Sequence, residues 1–150
     1  SVLAQCHAEY TNILIAYADC GTGGAIDRVA HRFNAQRLPG AHCYEFYATS
    51  PVFAALAEAE PGTFYLTDFL VRHFDRLVIE EMKLDQHPEL EDMLFGHYRK
   101  VVYLAQVDSD ELRDEAERAA TRLRLPLEVV TTGYGLLANA LEEEVIRVIA

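Results

Sequence analysis

The sequence has no apolar run near the roughly 20 residues that a bilayer-crossing helix needs. Its opening, Ser1-Val2-Leu3-Ala4-Gln5, lacks the basic-then-apolar order of a secretion signal. A cytoplasmic address is expected, with no membrane partner. Cysteine is scarce: Cys6, Cys20 and Cys43 are too few and too widely spaced for a small disulfide scaffold, so reduced thiols are expected. Basic residues are also in short supply. Thirteen Lys and Arg stand against twenty-four Asp and Glu, and the net charge of −11 repels phosphate backbones at long range. Nucleic acid is therefore not an expected partner, although a local basic pocket stays compatible with this balance. There is no Gly-Lys-Ser/Thr phosphate loop, no Ser-centred nucleophile elbow, no H-E-x-x-H and no C-x-x-C pair.

What is present is ample apolar material. Of 150 residues, 51% are hydrophobic and 10% aromatic, enough for one domain over 1–150 but not for two independent cores. Strand-like apolar runs alternate with helix-like stripes, the pattern of a layered α/β domain. Strands are predicted at residues 12–18 (NILIAYA), 63–66 (TFYL), 101–105 (VVYLA) and 127–130 (LEVV), with a short fifth near 36–38. Helices are predicted from Ser109 through Leu123, over about 68–82, and along the stripe Leu137, Leu141, Val145, Val148. Asp108 with Glu111 has the spacing of a capping box, and Ser50-Pro51 and His87-Pro88 suit helix starts. Together these predict a three-layer Rossmann-like domain with a mainly parallel sheet of four to five strands. The chain opens without Met in what reads as a helix tail leading into a strand, so a preceding N-terminal segment is expected.

In an open parallel sheet, ligands bind where the loops diverge from the carboxyl ends of the strands. Those ends are polar here. The first leads into Asp19-Cys20-Gly21-Thr22-Gly23-Gly24, the next into Thr67-Asp68, the next into Gln106-Val107-Asp108, and the last into Thr131-Thr132-Gly133-Tyr134. Gly21, Gly23 and Gly24 can take positive φ and let backbone approach a ligand closely. With Thr22, Thr132 and Tyr134 they are the expected cofactor-binding residues, although a tight strand-to-helix turn explains the glycines equally well. Cys20 at such a turn is a candidate nucleophile, with Asp68 as a proton-handling carboxylate. Cys20, Cys43 and His42 form the candidate metal set, whereas packing in the interior is the competing role for any single cysteine. His73 reads as a hydrogen-bonded core histidine, His87 as a cap, and His7 and His31 as surface residues.

The ordered blocks Tyr17 to Gly24, Pro39-Gly40-x-His42-Cys43-Tyr44, Phe64 to Phe69, Tyr98 to Gln106 and Thr132-Gly133-Tyr134-Gly135 resemble a bacterial and archaeal family, domain of unknown function sixteen thirty-eight. The resemblance implies an additional N-terminal unit with another cysteine, making Cys20 and Cys43 two of three thiols at one rim. Three thiols suit a metal ion or an iron-sulfur cluster better than two. It further implies a corrinoid-dependent methyltransferase as a candidate partner. Three readings compete: a metal- or cofactor-binding protein, a thiol-dependent transferase using Cys20, and a non-catalytic partner module acting through acidic faces and homodimer contacts. Binding of a small-molecule or metal ligand is favoured, since catalysis also needs a base in hydrogen-bonding geometry that no spacing establishes.

Overall fold

The computed structural model describes residues 2–17, 21–37, 43–135, 138 and 141–142. The chain divides into two compact units, Ser1–Ser50 with Tyr134–Ala150, and Pro51–Gly133. Among the described residues no helix is long and apolar enough to cross a membrane.

The first unit holds α1 (Val2–Glu9), β1 (Leu14–Ile15), α2 (Ala25–Arg32), β2 (Gln36–Arg37) and α3 (Cys43–Ala48). β1 and β2 pair in parallel, Leu14 opposite Gln36 and Ile15 opposite Arg37. The strand expected over residues 12–18 is thus paired only at its centre, with Ala18 outside the described residues. Arg37 reaches back from β2 to α2, where its Nε donates to Asp27 Oδ1 at 2.7 Å. The Arg37 guanidinium holds the Asp27 carboxyl below its ordinary range. Asp27 in the first turn of α2 and His31 and Arg32 in its last also place charge where the helix dipole favours it.

The second unit carries most of the core. α4 (Ser50–Ala59) leads into it, with Pro51 just inside the helix start as predicted. β3 (Thr63–Thr67) follows, then α5 (Asp68–Arg72), a π-helix (Asp75–Glu80), a 3₁₀ turn (Pro88–Leu90), α6 (Glu91–Phe95), β4 (Lys100–Ala105), α7 (Asp110–Arg122) and β5 (Leu127–Thr131). The strands form a parallel sheet in the order β3-β4-β5, with Thr63 opposite Lys100 and Val101 opposite Leu127. Val101 to Ala105 are sealed completely from solvent. A central parallel strand is covered on both faces, which is why it reads as an unbroken apolar run. Leu66, Val71, Phe74 and Val78 pack with Leu112, Ala116, Ala119 and Ala120 of α7, the stripe read from its spacing.

All five expected strands form and every described pairing is parallel, but they are distributed as three and two. Two local expectations need correction. α7 is capped by Ser109, whose Oγ accepts from Leu112 N at 3.3 Å, while Asp108 pairs outward with Arg113 at 2.8 Å. Ser109 is the residue with extended backbone (φ −139°, ψ 122°), and only an extended residue can turn its side chain onto the first amides. The helix expected over 68–82 is interrupted at His73 (φ −120°) and resumes as a π-helix, with Glu81 N donating to Arg76 O at 3.1 Å. Val71, Phe74 and Val78 stay buried across the break, so the apolar stripe survives the change of pitch. The final predicted helix lies mostly outside the described residues.

Candidate functional site

The carboxyl rim of β3-β4-β5 is held by one reciprocal network. Thr67, the last residue of β3, caps α5 by accepting from Leu70 N at 3.4 Å. Asp68 is therefore the first helical residue, and its carboxylate turns across to the end of β4. Its Oδ1 accepts from the Tyr103 hydroxyl at 2.8 Å and from Gln106 N at 3.0 Å, and its Oδ2 accepts from Val107 N at 3.0 Å. In return Asp68 N donates to Gln106 Oε1 at 2.8 Å, and Gln106 Nε2 donates to Leu104 O. Asp68 and Gln106 are buried, at 7% and 8% exposure. Buried charge persists only when fully hydrogen-bonded, and here both oxygens are engaged. Burial first, then the bond to the Asp68 carboxylate and its negative charge, push the Tyr103 phenol far above its ordinary range.

This network fixes two adjacent strand ends and the path of the loop leaving β4. The third end is tied to the same place: Thr132 N and Gly133 N donate to Ala105 O at 2.9 and 3.3 Å, and Thr132 Oγ1 donates to Gly133 O at 3.0 Å. Gly133 sits at φ +59°, with nothing within 4 Å of where a Cβ would stand. Phe69 and Val107 leave apolar surface exposed beside the clasp, at 60% and 41%. The chemistry of this rim is positional. Asp68 presents oxygens to fixed donors, and so holds the loop amides of Gln106 and Val107 in one orientation.

The glycine turn belongs to the other unit. Gly21, Gly23 and Gly24 have φ of +80°, +59° and +77°, all left-handed, as the sequence predicts. Gly24 stands at the N-cap of α2 and makes no side-chain cap; Ala25 N donates to Thr22 O at 3.2 Å, and Arg28 Nη1 donates to Gly23 O at 3.2 Å. No atom lies within 4 Å of a Cβ at position 21 or 23, so backbone conformation, not crowding, requires glycine there.

Cys20, Asp19 and His42 lie outside the described residues, and with them the expected meeting of Cys20 and Cys43. Cys43 opens α3 and is half-buried; Cys6 is half-buried in α1. Among the described residues no group of three or more His, Cys, Asp or Glu is arranged to hold a metal ion. Tyr134 is exposed at 54%. The remaining histidines fall in ordinary places. His73 is half-buried, its ring edge-on to Phe69 at 4.8 Å in place of the expected core hydrogen bond. His87 stands at the N-cap of the 3₁₀ turn, as expected, but makes no side-chain cap; its Nδ1 meets Glu89 Oε1 at 3.1 Å instead. His7 and His31 are exposed, as expected.

Sequence reasoning placed Asp68 and Gln106 on this rim but missed Tyr103. A tyrosine inside an otherwise apolar buried strand carries a hydroxyl that needs a partner, which was the available signal. The pattern of a family described as "Protein of unknown function (DUF1638)" matches residues 1–141. No curated protein and no solved structure matches the chain.

Proposed function

We propose that this chain, which belongs to the DUF1638 family, is a metal- or cofactor-binding α/β protein in which Cys20 and Cys43, assisted by His42, supply the ligands beside the glycine turn. The observation that carries this reading is the run of left-handed glycines at 21, 23 and 24, directly following Cys20 in the chain. Such a turn presents backbone that a ligand can approach closely, with open space where a Cβ would stand at 21 and 23. The donor set fits a soft cation or an iron-sulfur cluster, because thiolate and imidazole select such centres over magnesium or calcium. When bound, a cation of this kind supplies Lewis acidity, and a cluster supplies one-electron transfer.

In this reading Cys20 and Cys43 hold the group as thiolates, and the backbone of residues 21–24 shapes its surroundings. The rim of the larger sheet has a separate role. Asp68, through Tyr103, Gln106 and Val107, keeps that rim in one conformation for a small molecule, which Thr132 is proposed to contact; Tyr134 belongs to the first unit and is proposed as a cofactor-binding residue there. The Rossmann-like arrangement in three layers belongs to the same proposal, supported by the uniformly parallel pairing.

The test is elemental and optical analysis of the protein purified without oxygen, beside Cys20→Ser and Cys43→Ser. Stoichiometric metal that disappears in each variant is expected. Metal-free protein, or metal content indifferent to both changes, removes the assignment. A metal-free protein whose Cys20 alkylates rapidly at neutral pH would point to the thiol nucleophile instead.

A further inference from the structure

The second unit also contains a groove that gathers much of the chain's scarce positive charge. It has a volume of about 510 Å³ and runs between the α5 to π-helix segment and α7. Arg72 and Arg76 line one wall and Arg118 and Arg122 the other, so four of the thirteen basic residues face one hollow in a chain of net charge −11. Arg118 and Arg122 lie one turn apart on α7 and share a face, while Arg72 at the end of α5 and Arg76 in the π-helix stand on either side of the interruption at His73 and line the groove together. α5 and α7 lie against each other in the core, which brings the two faces together.

The partners of these arginines differ. Arg122 is fixed to Glu91 at 2.5 Å. Arg118 approaches Glu115 Oε1 at only 3.7 Å, and the other Glu115 oxygen is sealed from solvent without a hydrogen-bond partner. Arg72 and Arg76 make no ion pair with any described residue, although Asp75 and Glu80 also line the groove. The wall that carries Arg76 is the π-helix, a rare form that recurs at functional sites because its wider turn redirects side chains. Here residues 71–76, which span the interruption at His73, all contribute to the lining.

We propose that this groove binds a small molecule through a phosphate group. Planar guanidinium forks match phosphate oxygens in pairs, and two forks without a carboxylate partner, facing a third that is loosely held, offer several charge-assisted donors. Asp75, Glu80 and Glu115 leave room for the hydroxyl or amine donors of the rest of the ligand, and select against a bare polyanion such as nucleic acid. The groove volume suits a ligand of nucleotide or sugar-phosphate size.

Titration of the whole chain with inorganic pyrophosphate, followed by calorimetry and by backbone amide NMR shifts, tests this. Saturable binding is expected, with shifts confined to the lining segments around Phe74 to Arg76 and Arg118 to Arg122. Arg72→Ala with Arg76→Ala should weaken it by about tenfold or more, the effect of losing one charge-assisted hydrogen bond. Arg76→Lys should fall between, keeping charge but not the fork, and Arg99→Ala, an exposed change outside the groove, should leave binding unchanged. The arginines at 72 and 76 are exposed, so the variants should keep the parent's circular dichroism. Absence of saturable binding, or an affinity that Arg72→Ala with Arg76→Ala leaves intact, overturns the proposal.

Discussion

Replacing Asp68 by Asn changes almost no volume and isolates what the carboxylate contributes to the rim. The best amide orientation keeps its oxygen where Oδ1 accepts from Tyr103 and Gln106, and places its NH₂ against Val107 N, which now donates to Oδ2 at 3.0 Å. Donor then faces donor. One hydrogen bond to a charged acceptor is lost, at about 1.5–3 kcal/mol, and the two that remain fall to the strength of neutral bonds. Relief of the buried charge offsets part of this, because desolvating a carboxylate is itself costly. The net expectation is a loss of about 2–4 kcal/mol, with Asp68→Ala at or above the upper end since three donors are then abandoned. Urea unfolding followed by circular dichroism gives the values, and hydrogen exchange at Gln106 and Val107 localises them. Tyr103→Phe alone should cost about 1–2 kcal/mol, and combined with Asp68→Asn less than the sum, with a coupling near 1 kcal/mol. An Asp68→Asn protein within about 0.5 kcal/mol of the parent, or a double-mutant cycle without coupling, would refute the claim that this carboxylate holds the strand ends together.

Alkaline pH should unfold the second unit by a route the same network dictates. The Tyr103 phenol is raised in the folded state, so between its unfolded value near 10 and its folded value the unfolded chain has released a proton that the folded chain retains. Stability is thus complete below about pH 10 and declines above it by up to about 1.4 kcal/mol per pH unit for this group. Tyr103→Phe should flatten that decline, leaving a smaller one from Tyr65, which burial also raises; an unchanged slope above pH 10 would count against a buried, carboxylate-bound phenol. At α7, Ser109→Ala should cost about 1 kcal/mol and Asp108→Ala under about 0.5 kcal/mol, since the cap is the serine and the Asp108 pair is 79% exposed on the carboxylate side. The reverse order in thermal or urea unfolding would restore Asp108 as the cap.

The unequal legibility of these features has physical causes. β4 could be read because burial on both faces leaves no polar alternation, and α7 because one stripe of Leu112, Ala116, Ala119 and Ala120 repeats at helical period. The cap was misplaced by one residue because Asp and Ser both cap well, and only the backbone angles at 108 and 109 choose between them. The π-helix could not be read at all: Val71, Phe74 and Val78 satisfy the spacing of an ordinary helix, and nothing in residue type announces the extra residue in the turn. Glycines 21, 23 and 24 were legible as left-handed because no other residue adopts that backbone without cost.

The clasp and the groove show a different limit, one of pairing across distance. Asp68 and Gln106 follow strand ends, so topology alone puts them on one rim, but which carboxylate oxygen meets which donor depends on the register of Thr67 against Leu104. Tyr103 looked like one more apolar residue in a buried run, yet its hydroxyl obliges the strand to end beside an acceptor, and Asp68 is the acceptor supplied. The arginines carry the same lesson for charge. Arg118 and Arg122 are visible as a one-turn repeat within α7, and Arg72 and Arg76 as a four-residue spacing across the break at His73; in each case a solvated face is the ordinary explanation. It is only the packing of Val71 and Phe74 against Ala116 and Ala119 that turns two such faces toward one another. The apolar core, by fixing that contact, concentrates cationic donors in an acidic protein without any long-range excess of positive charge, so local anion recognition and a net charge of −11 coexist in one chain.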